Sequence, residues 1–277
     1  MSMQDPDTDT EPDAEDGNTD DEGPRFPEPS PLSVIIRADR FAKILEITRS
    51  AADEAILRFG RDGINVTLVD PANVYMLRQS VDAAAFEHVG DGQFPAGVDL
   101  SAWADYISKA DGDELVKLDF DPEAGRVDVE YGPFERSFAL IDPDSIRRGP
   151  DMPELQRPNQ MQLEAGLLSD VIDVSGMVSD HIEIEGDPDD ECVRIVASGH
   201  SDTNTATLDE ELQTADVTEH ASSIFSLDYL EEMVGVMPSN AVVTVTWGEE
   251  CPVTFEWEHA DGDASVTQTM APRIQSR

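Results

Sequence analysis

The stretch GVDLSAWADYISKADGDELVKLDF (residues 97–120) decides the fold, because its pattern returns about 127 residues later as IFSLDYLEEMVGVMPSNAVVTVTW (residues 224–247). Each copy reads as the end of a strand, a short helix, a loop and a second strand. Each is followed by a hairpin-like pair: RVDVEYGPFERSFALI (126–141) in the first half, PVTFEWEHADGDASVTQTM (252–270) in the second. A repeat this long means duplicated domains, since solenoid periods run at about 20 to 50 residues.

Upstream of the first copy, SVIIR (33–37) reads as a strand, and ADRFAKILEITRSAA carries Phe41, Ile44, Leu45 and Thr48 at helical spacing. Asp39 is the expected N-cap of this helix. Arg40, Lys43 and Arg49 fall on its opposite face. AILRFG, a turn at Arg61-Asp62-Gly63 and INVTLVD follow as strands, and after Asp70-Pro71 another strand is expected over 75–81. The second half opens the same way, with a helix near 167–177 striped by Leu168, Val171 and Ile172. The expectation is an α+β fold of two similar domains, 32–141 and 161–277, each with two helices packed on antiparallel strands. Between them, DPDSIRRGPDMPELQRPNQ (142–160) holds four prolines and a glycine, which makes it an extended connecting loop rather than a helix. Residues 1–31 are acidic and almost free of apolar side chains, so a disordered tail is expected there.

Hydrophobic residues make up 39% of the 277, enough to bury a core in each domain. The formal charge is -42, from 60 acids against 18 bases, of which only Lys43, Lys109 and Lys117 are lysine. Such a surface repels phosphate and itself in dilute buffer. At 1 M salt the Debye length is about 3 Å and both penalties shrink. The balance therefore reads as adaptation to a salt-rich cytoplasm, against the alternative of an acidic partner-binding protein in ordinary salt. Cys192 and Cys251 form no CxxC pair and read as reduced, buried thiols. The five histidines lack metal-ligand spacing, and no apolar run approaches the roughly 18 to 20 residues that span a bilayer. No metal, cofactor or membrane contact is expected.

Six segments, in this order and spacing, carry a family resemblance: LVDPANVYM (68–76), GVDLS (97–101), FALIDPDSIR (138–147), MVSDHI (177–182), SIFSLDYL (223–230) and MAPRIQ (270–275). Together they resemble proliferating cell nuclear antigen, PCNA, most closely its archaeal branch, over residue 33 to the C-terminus. The resemblance implies a DNA-clamp fold. Three subunits would close head to tail into a homotrimeric ring around double-stranded DNA, helices inside and sheets outside. It implies a subunit interface between the edge strand bearing Tyr131, Phe134, Arg136 and Phe138 and that bearing Asp202, Thr203, Thr205 and Thr207 of the next copy. It also implies that DNA polymerase, clamp loader, nuclease and ligase dock short hydrophobic-aromatic peptides in a groove. The walls carried over are Val69, Asn73, Met76, Pro252, Thr269, Ala271 and Pro272, with Met152 and Pro153 from the linker. Thr269 departs from the aromatic residue often found there, which weakens the expected grip on the plug. As lone apolar residues, Val69, Met76 and Met152 equally fit ordinary core packing. Ala271, Pro272 and Ile274 sit in a terminal segment that frays unless tied down.

The lining of the implied hole departs most from the family. Arg40, Lys43 and Arg49 keep the basic pattern on the first helix. The second offers Asp105 and Ser108, with Lys109 displaced by one; the third offers Asp170 and Asp173; the fourth offers Asp228 beside Glu231 and Glu232. Two readings stand. In one, the ring works in salt so high that a basic lining contributes little, and topology alone retains DNA. In the other, the chain is a divergent clamp paralogue, a protein-interaction hub with weak or no DNA loading. An enzyme is not expected. Asp142 and Asp144, or Asp187, Asp189 and Asp190, are carboxylate clusters of the kind composition alone produces, and the DPDD segment lacks the glycine and distal glutamate of a calcium loop.

Overall fold

The computed structural model describes residues 26, 28–149, 157–189 and 192–273. The first half strings β1 (Leu32–Arg37), α1 (Ala38–Arg49), β2 (Glu54–Gly60), β3 (Gly63–Val69), β4 (Tyr75–Asp82), β5 (His88–Val89), β6 (Gln93–Asp99), α2 (Leu100–Ile107), β7 (Leu115–Asp121), β8 (Arg126–Tyr131) and β9 (Phe134–Ala139). The second half repeats the order: β10 (Asn159–Glu164), α3 (Ala165–Gly176), β11 (His181–Asp187), β12 (Cys192–Ser198), β13 (Thr203–Leu208), β14 (Thr214–Val217), β15 (Ala221–Ser226), α4 (Leu227–Gly235), β16 (Val242–Trp247), β17 (Val253–His259) and β18 (Ala264–Met270). Strand–helix–strands, twice, is what the sequence pattern predicts. Alternation of buried and open residues along the strands sets their faces, and α1 packs on α2 as α3 packs on α4.

Some local expectations need correction. Asp39 is not the N-cap of α1. That position falls to Arg37, whose guanidinium instead pairs with Asp39 in the first turn at 2.6 Å. The Arg37 hydrogen bond holds the Asp39 carboxyl below its usual range. α2 does have an acidic cap, Asp99, which accepts from the Ala102 amide at 2.9 Å. Among its described residues the linker contains one short 3-10 turn, Pro143–Ser145, and its last two residues already belong to β10. Cys192 is buried as expected, but Cys251 is partly open. The acidic tail through Arg25 lies outside the described residues.

Three antiparallel sheets result, ordered β5-β1-β7-β8-β9, β13-β12-β11-β15, and β14-β10-β16-β17-β18-β4-β3-β2-β6. The third joins the halves through seven pairs between β4 and β18, from Tyr75↔Met270 to Val81↔Ala264. Beneath that joint runs a buried polar seam. Thr48 donates to Gln79 Oε1 at 3.2 Å, and the Gln79 amide meets His259 Nε2 at 3.2 Å. Trp257 Nε1 donates to Gln268 Oε1 at 2.9 Å, and Gln268 Nε2 reaches the Tyr75 hydroxyl at 2.7 Å and the Met233 carbonyl at 3.2 Å. Burial, then the charge of Lys43, pushes the His259 pKa down to about 4, so its neutral ring accepts the Gln79 hydrogen bond. The linker leaves the first half across Gly97, where an added Cβ would stand 2.2 Å from the Ile141 carbonyl, so only glycine fits.

Candidate functional site

The loop between β3 and β4 is built around one carboxylate. Asp70 is 5% exposed. Its Oδ1 accepts from the amides of Val74 at 2.7 Å and Tyr75 at 2.8 Å; its Oδ2 accepts from Ala72 N at 3.0 Å and from the Tyr229 hydroxyl at 3.1 Å. Asp-Pro followed by Asn73 in the left-handed region (φ 60) makes the tight turn that brings these donors together. Tyr229 comes from α4, so the loop is pinned across the two halves. Burial first, and the Asp70 hydrogen bond second, raise the Tyr229 pKa.

Two chain segments close on this loop. From the linker, Arg147 donates to the Pro71 carbonyl at 3.2 Å and to Asn73 Oδ1. From the C-terminal side, the Ala271 amide donates to the Val74 carbonyl at 2.9 Å, and Arg273 N donates to Ile224 O at 2.7 Å. These bonds tie down the tail. Of the expected walls, Asn73 is exposed, Met76, Pro252, Ala271 and Pro272 are half-buried, and Val69 and Thr269 are nearly covered. The Thr269 hydroxyl meets Thr254 at 2.9 Å. Met152, Pro153 and Ile274 lie outside the described residues. Sequence reading missed Asp70, Tyr229 and Arg147 as determinants. Asp-Pro signals a turn, but nothing in the sequence pairs residue 70 with residue 229.

The bases of α1 are mostly occupied. Arg40 donates to the Ala85 carbonyl at 2.9 Å and meets Asp261 at 3.4 Å, so its guanidinium brackets the two halves. Lys43 pairs with Glu46 at 2.9 Å. Arg49 and Lys109 are exposed, as are Asp105, Ser108, Asp170, Asp173, Asp228, Glu231 and Glu232.

At the open sheet edges, β9 bears Phe134, 58% exposed, and Arg136, whose guanidinium lies over the rings of Phe138 (4.3 Å) and Tyr106 (5.7 Å). Tyr131 and Phe138 are already buried within the chain itself. Asp202, beside the other edge strand, and Thr203, Thr205 and Thr207 of β13 are exposed. Among the described residues, Asp187, Asp189 and His220 bring ligand atoms within 4.8 Å of one another, but Arg194 already stands 3.6 Å from Asp187.

No family model matches the chain. Among curated proteins, it is 38% identical over 246 residues to the DNA polymerase sliding clamp of Natronomonas pharaonis, covering 88% of this chain and 99% of that one. It is 37% identical to the sliding clamp of Haloarcula marismortui with the same coverage. Among solved structures, the PCNA of A. fulgidus bound to the C-terminal region of FEN-1 matches with a TM-score of 0.82 and 31% identity, covering 89% of this chain and 100% of that one. The PCNA of Thermococcus kodakaraensis shares the fold at a TM-score of 0.78 and 20% identity, covering 87% and 100%.

Proposed function

The chain belongs to the DNA polymerase sliding clamps of the PCNA type, and from that premise we propose how its surfaces serve a clamp: copies close head to tail into a three-membered ring, duplex DNA threads the hole, and polymerase, clamp loader, nuclease and ligase dock peptides beside the 70–74 loop. One comparison internal to the chain carries the ring. The two halves are offset by 127 residues: Ala38 corresponds to Ala165, and Leu100 to Leu227. Ile47, next to the Thr48 that bonds Gln79 of β4, is 0% exposed, while its counterpart Val174 is 45% exposed. The strand pairs Val127↔Phe138 and Val253↔Met270 match β9 with β18, so Phe134 at 58% exposure corresponds to Val266 at 1%. Positions covered where the halves meet are thus open where the chain has no second half to meet.

The internal joint also supplies the register. Gln79↔Val266 and Leu77↔Gln268 map onto Ala206 opposite Phe134 and Asn204 opposite Arg136 of the neighbouring copy. Pairing of β9 with β13 then removes both free edges. The hole receives little attraction from its walls, because Arg40 and Lys43 are engaged within the chain and the other helices are largely acidic. Arg49 and Lys109 remain as phosphate contacts, and topology retains the DNA. The groove takes its rigidity from Asp70, Tyr229 and Arg147, which fix its loop before a peptide arrives. The clamp is a non-enzymatic tether acting in the cytoplasm.

Loading onto nicked circular DNA at about 1–3 M KCl tests this reading. A trimer mass by native mass spectrometry is expected, with retention on circles and loss when the circle is cut. A monomer at every salt sinks the ring. A trimer that loads at no salt supports the second reading, a clamp paralogue serving as an interaction hub, which the acidic α3 and α4 favour.

A further inference from the structure

In the joint inside the chain, the Gln268 amide bridges two elements. Its Nε2 donates to the Met233 carbonyl of α4 at 3.2 Å and to the Tyr75 hydroxyl, at the start of β4, at 2.7 Å. The Ser50 hydroxyl, at the C-cap of α1, meets the same Tyr75 oxygen at 3.1 Å. Each of these positions has a counterpart at the open edges. In the register given for the ring, Gln268 corresponds to Arg136 and Leu77 to Asn204; two residues earlier, Tyr75 corresponds to Asp202. Met233 corresponds to Tyr106, and Ser50 to Met177, the C-cap of α3. Arg136 already stands against Tyr106, 5.7 Å from its ring centroid, as Gln268 stands against Met233. Arg136 and Asp202 are both exposed, and Met177 is 81% exposed. Among the described residues, neither Arg136 nor Asp202 has an ion-pair partner in its own copy.

We propose that Arg136 of one copy and Asp202 of the next form an ion-pair latch, with Met177 beside it, and that the latch selects a neighbour carrying an acid at the position of Asp202. The latch rests on the ring reading above. Arginine is longer than glutamine where aspartate is shorter than tyrosine, so the reach across the joint is kept. The charges around the pair call for a cation there. Burial chiefly, and the Glu232 charge in addition, push the Tyr75 hydroxyl up to about 12, which sets the Glu232 carboxylate toward that residue. Glu232 corresponds to Asp105. Ring closure therefore brings Asp105 of one copy toward Asp202 of the next, with Arg136 as the cation between them. Glu135, next to Arg136 on β9, points to the opposite face of the sheet. Met177 puts an apolar side chain where Ser50 has a hydroxyl, and so shields one side of the pair from the screening that a fully wetted pair suffers.

Charge reversal at each end, and at both, tests the latch. Arg136→Asp, Asp202→Arg and the double variant are compared with the parent by sedimentation velocity, at the lowest salt where their near-ultraviolet circular dichroism spectra coincide. Each single change sets like charges at all three joints, so its monomer–trimer midpoint should rise at least about tenfold. The double variant restores opposite charges and should return to within about threefold of the parent. At about 3 M KCl the single variants should approach the parent. An equimolar mixture of the two single variants gives a second readout. In any mixed ring of three, two joints regain opposite charges. Native mass spectrometry should therefore show mixed trimers exceeding like trimers by more than the ratio of about three to one that random assembly gives. A double variant as dissociated as the single ones, or a random ratio in the mixture, overturns the latch, while a trimeric parent keeps the ring. A parent that is monomeric at every salt overturns the ring, and the latch with it.

Discussion

Truncating Phe134 to alanine tests ring closure at the residue most open to it. A phenylalanine side chain buries about 150–250 Å² when covered. With Phe134 58% exposed, about 120 Å² is left for a neighbour to cover, or about 3 kcal/mol at about 25 cal/mol per Å². Alanine keeps the Cβ, so the expected loss is about 2 kcal/mol per joint and about 6 kcal/mol for a ring with three. The trimer-to-monomer ratio depends on the square of the free protomer concentration, so the monomer–trimer midpoint should rise by about two powers of ten. Sedimentation velocity over a protein dilution series at fixed high salt reads this directly. Leu115→Ala is the control. Leu115 is 48% exposed, but its counterpart Val242 is 43% exposed too, so neither position is covered where the halves meet. A Phe134→Ala midpoint within about threefold of the parent, or a Leu115→Ala midpoint that moves as far, refutes the reasoning.

Tyr229→Phe should cost about 1–2 kcal/mol of stability and weaken peptide docking, because Asp70 Oδ2 loses a donor in a buried site; a double-mutant cycle with Asp70→Asn should show coupling of at least about 0.5 kcal/mol. On a DNA-bound ring of three copies, Arg49→Ala and Lys109→Ala should each lower the slope of log affinity against log salt by up to about 3, one for each copy in contact, whereas Arg40→Ala should leave that slope unchanged and lower the unfolding midpoint instead. His259 is held near 4 in the fold against 6.5 in the unfolded chain. The unfolded state therefore binds the proton first: no penalty applies above about pH 6.5, and stability falls by up to about 2–3 kcal/mol as pH drops toward 4. Denaturant melts from pH 4.5 to 7.5 should lose that slope in His259→Gln.

Much of this architecture was legible because it is written twice. The strand and helix pattern around Trp103 recurs around Leu230, and the apolar stripes of α1 and α3 keep the same spacing, down to buried Thr48 and Ser175. What stayed hidden depends on contacts distant in sequence. Arg40 looks like a phosphate ligand on a helical wheel; only the fold brings Asp261 within reach of it. Asp39 has the chemistry of an N-cap, but Arg37 competes for its carboxylate. Asp70 reads as the start of a turn, and its bond to Tyr229 crosses 159 residues. Phe26 sits at the end of a segment whose composition suggests nothing but solvation. The Arg58 and Arg148 guanidinium groups over its ring come from β2 and the linker, far along the chain.

In the ring proposed above, the seam beneath β4 and β18 is the joint within each copy that is soldered. There Gln79 and Gln268 each satisfy partners from both sides of the joint, so a slip by even one residue would strand buried polar atoms. The corresponding edge positions are Ala206, which brings no such group, and Arg136, whose guanidinium rests on aromatic faces of its own half. A bracelet made of such links has welds inside each copy and clasps between copies. Whatever pries the proposed ring apart to admit a DNA strand would meet its weakest resistance at a clasp.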